Sequence, residues 1–342
     1  MKKYFNLKII IPIFVSLLLM ISGIVYLKYI RTQNSPLISS QSTVKIVVKE
    51  GDSIYNLFDS LENENKLKSS FFAKLYIKNN KPKVEIKPGE YNVRTETSLK
   101  NLITLLTEGG DTLKVTIPEG FTVDEIATRL DKNGIVKKEE FLKACKEYKG
   151  KGYIKDTPGK KYLVEGFLFP DTYNFSKKVK SEDIIKEMID RFEAVIKDIQ
   201  IETNVEIKEE DYEKYANIAS MIEKEARVDK DRELISSVIK NRLDKKMMLQ
   251  ICSTVIYALG EHKDKLYDKD LKIDSPYNTY KNYGLPVGPI GNAGKPSIKA
   301  AISPADTNYI YYILELDQKT HFFTNKSSEF ENKKKERQNA GL

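Results

Sequence analysis

The chain has 342 residues, 57 Lys and Arg against 49 Asp and Glu, a formal net charge of +8, and 40% hydrophobic residues. That suffices for one large core or two ordinary ones and is too apolar for a disordered chain. Two cysteines, Cys145 and Cys252, exclude a disulfide scaffold or a cysteine-rich zinc site; two histidines, His262 and His321, exclude a histidine-cluster metal site and leave little material for a Ser-His-Asp triad.

At the amino end, Ile9 to Leu27 is an uncharged apolar run. At about 1.5 Å per residue it roughly matches a ~30 Å hydrocarbon core. Lys2, Lys3 and Lys8 precede it, which predicts a cytoplasmic amino end, and Lys28 and Arg31 weaken that contrast without reversing it. A cleaved signal peptide is the rival reading; the run is longer than a typical signal core and no A-x-A site follows it. Residues 1–33 are therefore read as a cytoplasmic stub and uncleaved anchor. They hold five basic residues and no acidic ones, so residues 34–342 carry 52 against 49. The remainder is nearly balanced, and the overall basicity does not point to nucleic acid. Residues 34–43, with Pro36 and several Ser, read as a tether.

Val44 to Val48 alternates as a strand, Glu50-Gly51-Asp52 makes a turn, and Ser53 caps a helix with apolar positions Ile54, Leu57, Phe58 and Leu61. Lys87 to Tyr91 turns into a short strand, and Ser98 to Leu106 reads as a capped helix. A second segment repeats the first. Val115 and Ile117 lead into Glu119-Gly120, Thr122 caps, and Val123, Ile126, Ala127 and Leu130 form the stripe. At a constant offset of 69, Glu50 matches Glu119, Gly51 matches Gly120, Ser53 matches Thr122, and four apolar pairs follow, ending with Phe72 and Phe141. Any βα unit shares part of this pattern, but so long a run argues for a repeated strand-turn-helix-helix unit.

Past residue 150 the apolar segment Leu163 to Phe169 ends at a Pro170-Asp171 turn. Helices are expected over Ile184 to Ile196 and Asp211 to Ala226, and along the stripe from Leu234 to Leu243. Asp274 to Pro304 holds five Pro and four Gly and reads as a long functional loop. Tyr309 to Leu316 and His321 to Phe323 carry strand signals, and Glu331 to Arg337 reads as a solvated charged end.

Carboxylates are the candidates for chemistry. Glu223 falls on a helix face in the column of Ala216, Ala219, Ser220 and Ala226, where small neighbours would leave room for a bulky ligand around a general acid. The plainer reading pairs it with Arg227 at i+4; Glu225 points elsewhere, toward the surface. Glu165 and Asp171 flank an apolar stretch that would raise a carboxyl pKa, or they cap turns. Tyr277-Asn278-Thr279-Tyr280 mixes ring faces with amide and hydroxyl groups, a composition suited to sugar or to an ordinary polar loop. His321 reads as a packing or capping residue.

The sequence Val47-Val-Lys-Glu-Gly-Asp-Ser-Ile-Tyr-Asn-Leu57 resembles the opening of LysM modules, which bind cell-wall glycan. Further on, Glu165-Gly-Phe-Leu-Phe-Pro-Asp-Thr-Tyr173, Ala219-Ser-Met-Ile-Glu-Lys-Glu225, Asn241-Arg-Leu243, Leu249-Gln250, Thr254-Val-Ile-Tyr257, Tyr277-Asn-Thr-Tyr280, Gly284-Leu-Pro286 and His321-Phe-Phe323 stand in family order. With them the chain resembles the YceG/MltG family of membrane-anchored endolytic murein transglycosylases over essentially its whole length. The resemblance implies an α+β chain: one amino-terminal transmembrane helix, a LysM-like βα subdomain over 44–113 and a mixed α/β catalytic region over 114–342, with 114–150 as a second LysM-like unit. It makes Glu223 the catalytic acid/base and puts Glu165, Asp171, Ser220, Gln250, Tyr277, Asn278 and Tyr280 at the substrate. It implies cleavage of the β-1,4 bond between N-acetylmuramic acid and N-acetylglucosamine to 1,6-anhydro ends, outside the cytoplasm, on peptidoglycan glycan strands, beside peptidoglycan synthases, with no metal or cofactor. One departure is Cys252-Ser253 in place of the family's Asp-Pro. A water-using muramidase and a non-catalytic wall-binding protein are the alternatives.

Overall fold

The computed structural model describes residues 7–80, 84–109, 112–176, 179–261, 263 and 266–341. Lys2, Lys3 and His262 lie outside the described residues. The chain divides into two compact units, residues 1–112 and 113–342.

In the first unit, α1 (Leu7–Asn34) contains a stretch, Val15–Asn34, long and apolar enough to cross a membrane. The helix continues well past Leu27, because nothing breaks it before Ser35-Pro36, where proline disfavours helix for the preceding residue. The segment read as a tether is partly built into the unit. Leu37 is buried, Ile38 N–H donates to Lys66 O (2.9 Å) and Lys68 N–H donates to Pro36 O (2.8 Å). An apolar side chain in an extended segment found a partner that a polar linker would not.

β1 (Thr43–Val48) pairs antiparallel with β2 (Gly89–Arg94), from Thr43 opposite Arg94 to Val48 opposite Gly89. Alternation puts Val44, Ile46 and Val48 on the buried face, against α2 (Ile54–Asn63), α3 (Ser70–Asn80) and α4 (Leu99–Glu108). Ser53 and Ser98 cap α2 and α4 through their hydroxyls, as their positions before the apolar stripes predict.

In the second unit, β3 (Thr112–Thr116) pairs with β4 (Thr172–Ser176). Between them lie α5 (Val123–Lys132) and α6 (Lys138–Lys146). The long amphipathic helix α7 (Ser181–Thr203) buries Ile184, Ile185, Met188, Ile189, Phe192, Val195, Ile196 and Ile199. It is followed by α8 (Tyr212–Glu225), α9 (Asp229–Asp244), α10 (Cys252–Leu259), α11 (Lys295–Ile302), the hairpin β5 (Tyr311–Leu314) and β6 (His321–Thr324), and α12 (Ser327–Asn339). The described strands thus form three two-stranded ribbons, and helices supply most of the core.

One expectation changes here and another gains detail. The Pro/Gly-rich stretch over 274–304 is not all loop: α11 begins with Pro296 in its first turn, where a missing N–H costs little. The charged tail is solvated over most of its length, as expected, but it is also ordered. It is helical, Phe330 stacks on Tyr311, and Arg337 Nη1 donates to Leu314 O (2.5 Å) and Glu315 O (2.8 Å). Those carbonyls end β5 and need donors.

Candidate active site

Glu223 occupies the last turn of α8, with its side chain 8% exposed. Its Oε1 accepts from Arg232 Nη1 at 3.2 Å, and its Oε2 accepts from the backbone N–H of Gly294 at 3.0 Å. Arg232 stands in the first turn of α9, and the same Nη1 donates to Ser297 Oγ on α11. Gly294 is the residue before α11. Three helix ends therefore converge on one carboxyl group and fix its orientation. The sequence suggested Arg227 as its partner. The helix stops first: Ala226 turns extended (φ −69°, ψ 127°), so Arg227 leaves the i+4 register and Arg232 takes the place.

The small-residue column does not hold ligand space. Ala216, Ala219 and Ser220 are buried under the approach of the 286–290 loop. Asn217 Nδ2 donates to Pro286 O (2.8 Å), and Ile290 N–H donates to Ser220 Oγ (3.0 Å). Small side chains serve here to let backbone approach backbone. Open space begins one residue beyond Glu223. Its neighbour Lys224 lines two hollows, of about 550 Å³ and about 840 Å³, that share Lys224, Ser253 and Ile256 as walls. The smaller also has Thr122, Asp124, Lys161 and Tyr257; the larger has Glu225, Gln250, Cys252, Tyr280, Tyr312 and His321.

The other sequence candidates separate into wall and interior. Gln250 and Tyr280 line the larger hollow. Tyr277 and Asn278 are buried. Tyr277 accepts from Lys161 N–H (3.1 Å), and burial pushes its hydroxyl up to about 12. Asn278 Nδ2 donates to Leu271 O and Ile273 O, and its Oδ1 accepts from Tyr280 N–H, so it holds the loop that presents Tyr280. Ser220 spends its hydroxyl on Asn217 O (2.7 Å) and on the Ile290 amide. Asp171 pairs with Arg191 of α7 (3.0 Å) at the start of β4.

Glu165 is 1% exposed and lies inside the fold rather than on the wall. Its carboxyl accepts from Val123 N–H, from Tyr257 Oη (2.9 Å) and from Asn292 Nδ2 (2.9 Å). Burial raises it to about 7, against the pull of those donors. Buried among these protein donors, the carboxyl is shut off from a sugar; what it does is tie the first turn of α5 to the 290–294 loop.

Glu225 is not a free surface group. It is half-buried on the wall of the larger hollow, accepting from Ser253 Oγ (2.9 Å) and Tyr312 Oη (3.2 Å). Beside it the Cys252 thiol lies 3.1 Å from Tyr280 Oη, and partial desolvation on the groove wall pushes that thiol up, which keeps it neutral near pH 7. Both cysteines are free. His321 is held by Asp231, whose Oδ2 meets its backbone N–H (2.8 Å) and Nδ1 (2.9 Å). Sequence reasoning missed Arg232, Gly294 and the carboxyl of Glu119, which packs beside Gly294. Only Glu119 left a trace, as a member of the repeated Glu-Gly turn.

Residues 46–336 match the model of the YceG-like family. The chain is similar to the endolytic murein transglycosylase of Bacillus subtilis, 36% identical over 312 residues that cover 87% of this chain and 85% of that protein. It is 28% identical over 334 residues to the endolytic murein transglycosylase of Streptococcus pneumoniae R6; the match covers 89% of this chain and 60% of that longer relative. A crystal structure of a yceG-like protein from Listeria monocytogenes superposes with a TM-score of 0.57 at 32% identity, covering 86% of this chain and 99% of that one.

Proposed function

The chain belongs to the YceG-like family, and from that premise we propose that it is an endolytic murein transglycosylase, a lyase acting on peptidoglycan. The observation that carries this is the agreement between its curated relatives and the site: the motif glutamate, Glu223, is the carboxyl on which three helix ends converge, next in sequence to Lys224 on the wall of an open groove.

In the proposed reaction Glu223 gives its proton to the glycosidic oxygen, and the bond from that oxygen to C1 of N-acetylmuramic acid breaks. The same carboxylate then takes the proton of the C6 hydroxyl, and O6 bonds to C1 to close the 1,6-anhydro ring. No water is consumed. Arg232 and the Gly294 amide hold the carboxyl in place for both transfers, so its reorganisation cost is met in advance. Gln250, Tyr280 and Tyr312 supply amide, hydroxyl and ring surface along the larger hollow, which suits a polysaccharide. The apolar helix α1 anchors the protein, with the amino end in the cytoplasm and the catalytic region outside it. The LysM-like segment of the first unit is a further contact for wall glycan. Peptidoglycan synthases are the partners this role requires, since cutting nascent strands limits their length.

The test is Glu223→Gln, which keeps the shape and removes the proton. Release of anhydro-ended fragments from polymeric glycan, read by mass spectrometry, should fall by about 10²–10⁴. Near-normal turnover by the folded variant would remove Glu223 from the mechanism. One observation favours a second reading: Glu119 puts another carboxyl next to Glu223, and a water-using muramidase needs two. Its products would carry reducing ends.

A further inference from the structure

The Glu119-Gly120 turn has no part in the reaction as written above, yet the fold lays it against Glu223. Gly120 N–H donates to Asn292 O (2.7 Å), and Asn292 N–H donates back to Phe121 O (2.9 Å), so the turn and the 290–294 loop are laced backbone to backbone. Asn292 Nδ2 adds a bond to Phe121 O and another to the buried Glu165. Gly294, at the end of this loop, donates its N–H to Glu223 Oε2. A methyl group on Gly294 would lie 2.0 Å from Glu119 Oε1 and 2.2 Å from its Cδ, so the Glu119 carboxyl rests on the bare Cα of the residue that holds Glu223. A methyl on Gly120 would lie 3.5 Å from Glu223 Cγ. Two carboxyl groups flank one glycine.

We propose that Glu119 and Glu223 act as a charge-coupled pair that starts with one proton, with Glu119 the positioning residue that keeps this proton at the site until the glycosidic oxygen takes it from Glu223. This rests on the transglycosylase reading. The proton count closes without a co-reactant: the pair starts with one proton, Glu223 delivers it to the leaving oxygen, and the C6 hydroxyl returns one. The Glu223 charge is close enough to help hold the Glu119 carboxyl above its ordinary range.

The charges facing the pair come from three elements. Arg232 and Asp229 are on α9, Lys224 is on α8 with its Nζ 4.0 Å from a Cβ placed on Gly120, and Glu119 itself precedes α5. Although Glu119 keeps contact with solvent, partial desolvation, then the Glu223 charge, hold its carboxyl above the ordinary range; Asp229 adds to this and Arg232 opposes it. Lys224 and Arg232 keep the site from accumulating negative charge when the proton leaves.

The experiment measures kcat and KM against pH for the full-length protein on polymeric glycan strands, with products identified by mass spectrometry. Glu119→Gln should move the alkaline limb of kcat to lower pH by about one unit, with KM little changed, and Glu119→Asp should restore most of the shift. Gly294→Ala, whose methyl displaces the Glu119 carboxyl while keeping the N–H, should move the limb the same way by less. An unmoved limb in Glu119→Gln overturns the pairing, as does a change confined to KM, which would make Glu119 a binding group. Independently of turnover, an infrared titration of the protonated-carboxyl band should show the highest-titrating carboxyl of the pair dropping in Glu223→Gln; no change there also overturns it. Reducing ends from the wild type would defeat the transglycosylase reading alone, leaving the limb shift to judge the pair.

Discussion

Residues 43–80 and 112–146 are built by one local recipe and put to different use. In each, a strand and a Glu-Gly turn lead into a ten-residue helix, α2 or α5, capped by a hydroxyl that accepts the N–H three residues on. The buried positions correspond one for one: Ile54, Leu57, Phe58 and Leu61 with Val123, Ile126, Ala127 and Leu130. Gly51 and Gly120 share positive φ, as do Asn65 and Gly134 just past the helices. Lys66 N–H closes on Leu61 O (2.8 Å) as Ile135 N–H closes on Leu130 O (3.1 Å). The difference lies behind the turn. A side chain on Gly51 would meet open space; Gly120 backs onto Glu223, and the Val123 amide is taken by Glu165. Local chemistry makes the turn, and what packs against it decides whether the turn carries function.

The largest way to break this comparison is Glu165→Gln, since among the described residues only the second segment has such a carboxyl beneath it. Gln keeps one acceptor oxygen but turns amide hydrogens toward the donor on the other side, Tyr257 Oη or Asn292 Nδ2 depending on its flip, which should cost about 1–3 kcal/mol by thermal or denaturant unfolding. The cost depends on pH in a definite direction. Burial raises the folded-state carboxyl to about 7 from 4.5, so its contribution to stability is complete below the unfolded value and is lost as pH rises through about 7. The melting-temperature gap between wild type and variant should narrow across that window; a gap that widens would mean the carboxyl is held ionised.

The paired substitutions Gly51→Ala and Gly120→Ala sharpen the comparison. Both force an L side chain into positive φ, at about 1–2 kcal/mol each. Equal losses of stability, with release of anhydro ends falling further in Gly120→Ala, would separate the shared turn from its neighbour. Equal losses of rate would show that Glu223 does not feel the turn. The smallest effect is at the caps. Ser53→Ala and Thr122→Ala should each cost about 1 kcal/mol. The loss should be larger at Thr122, whose hydroxyl both accepts from Glu125 N–H and donates to Glu125 Oε2 in a full capping box. The reverse order would assign the stability of α5 to packing rather than to its cap.

The sequence by itself determined what depends on near neighbours. Caps at Ser53, Ser98 and Thr122, the apolar stripes of α2, α5, α7 and α9, the apolar character of α1, and the candidacy of Glu223 all rest on spacings of a few residues or on a contiguous motif. Only the tertiary structure decided that Ala219 and Ser220 admit a loop rather than a ligand, that Glu165 and Asn278 face inward, and that Arg232 displaces Arg227 once the helix ends at Ala226. It alone brought Glu119 from the β3–α5 turn, and Gly294 from the edge of α11, to the same carboxyl. The physical reason is range: a hydrogen bond within a helix turn is written in the residue order, whereas bonds such as those of Asn292 to Phe121 and Glu165 exist only after collapse has buried groups that must then find partners.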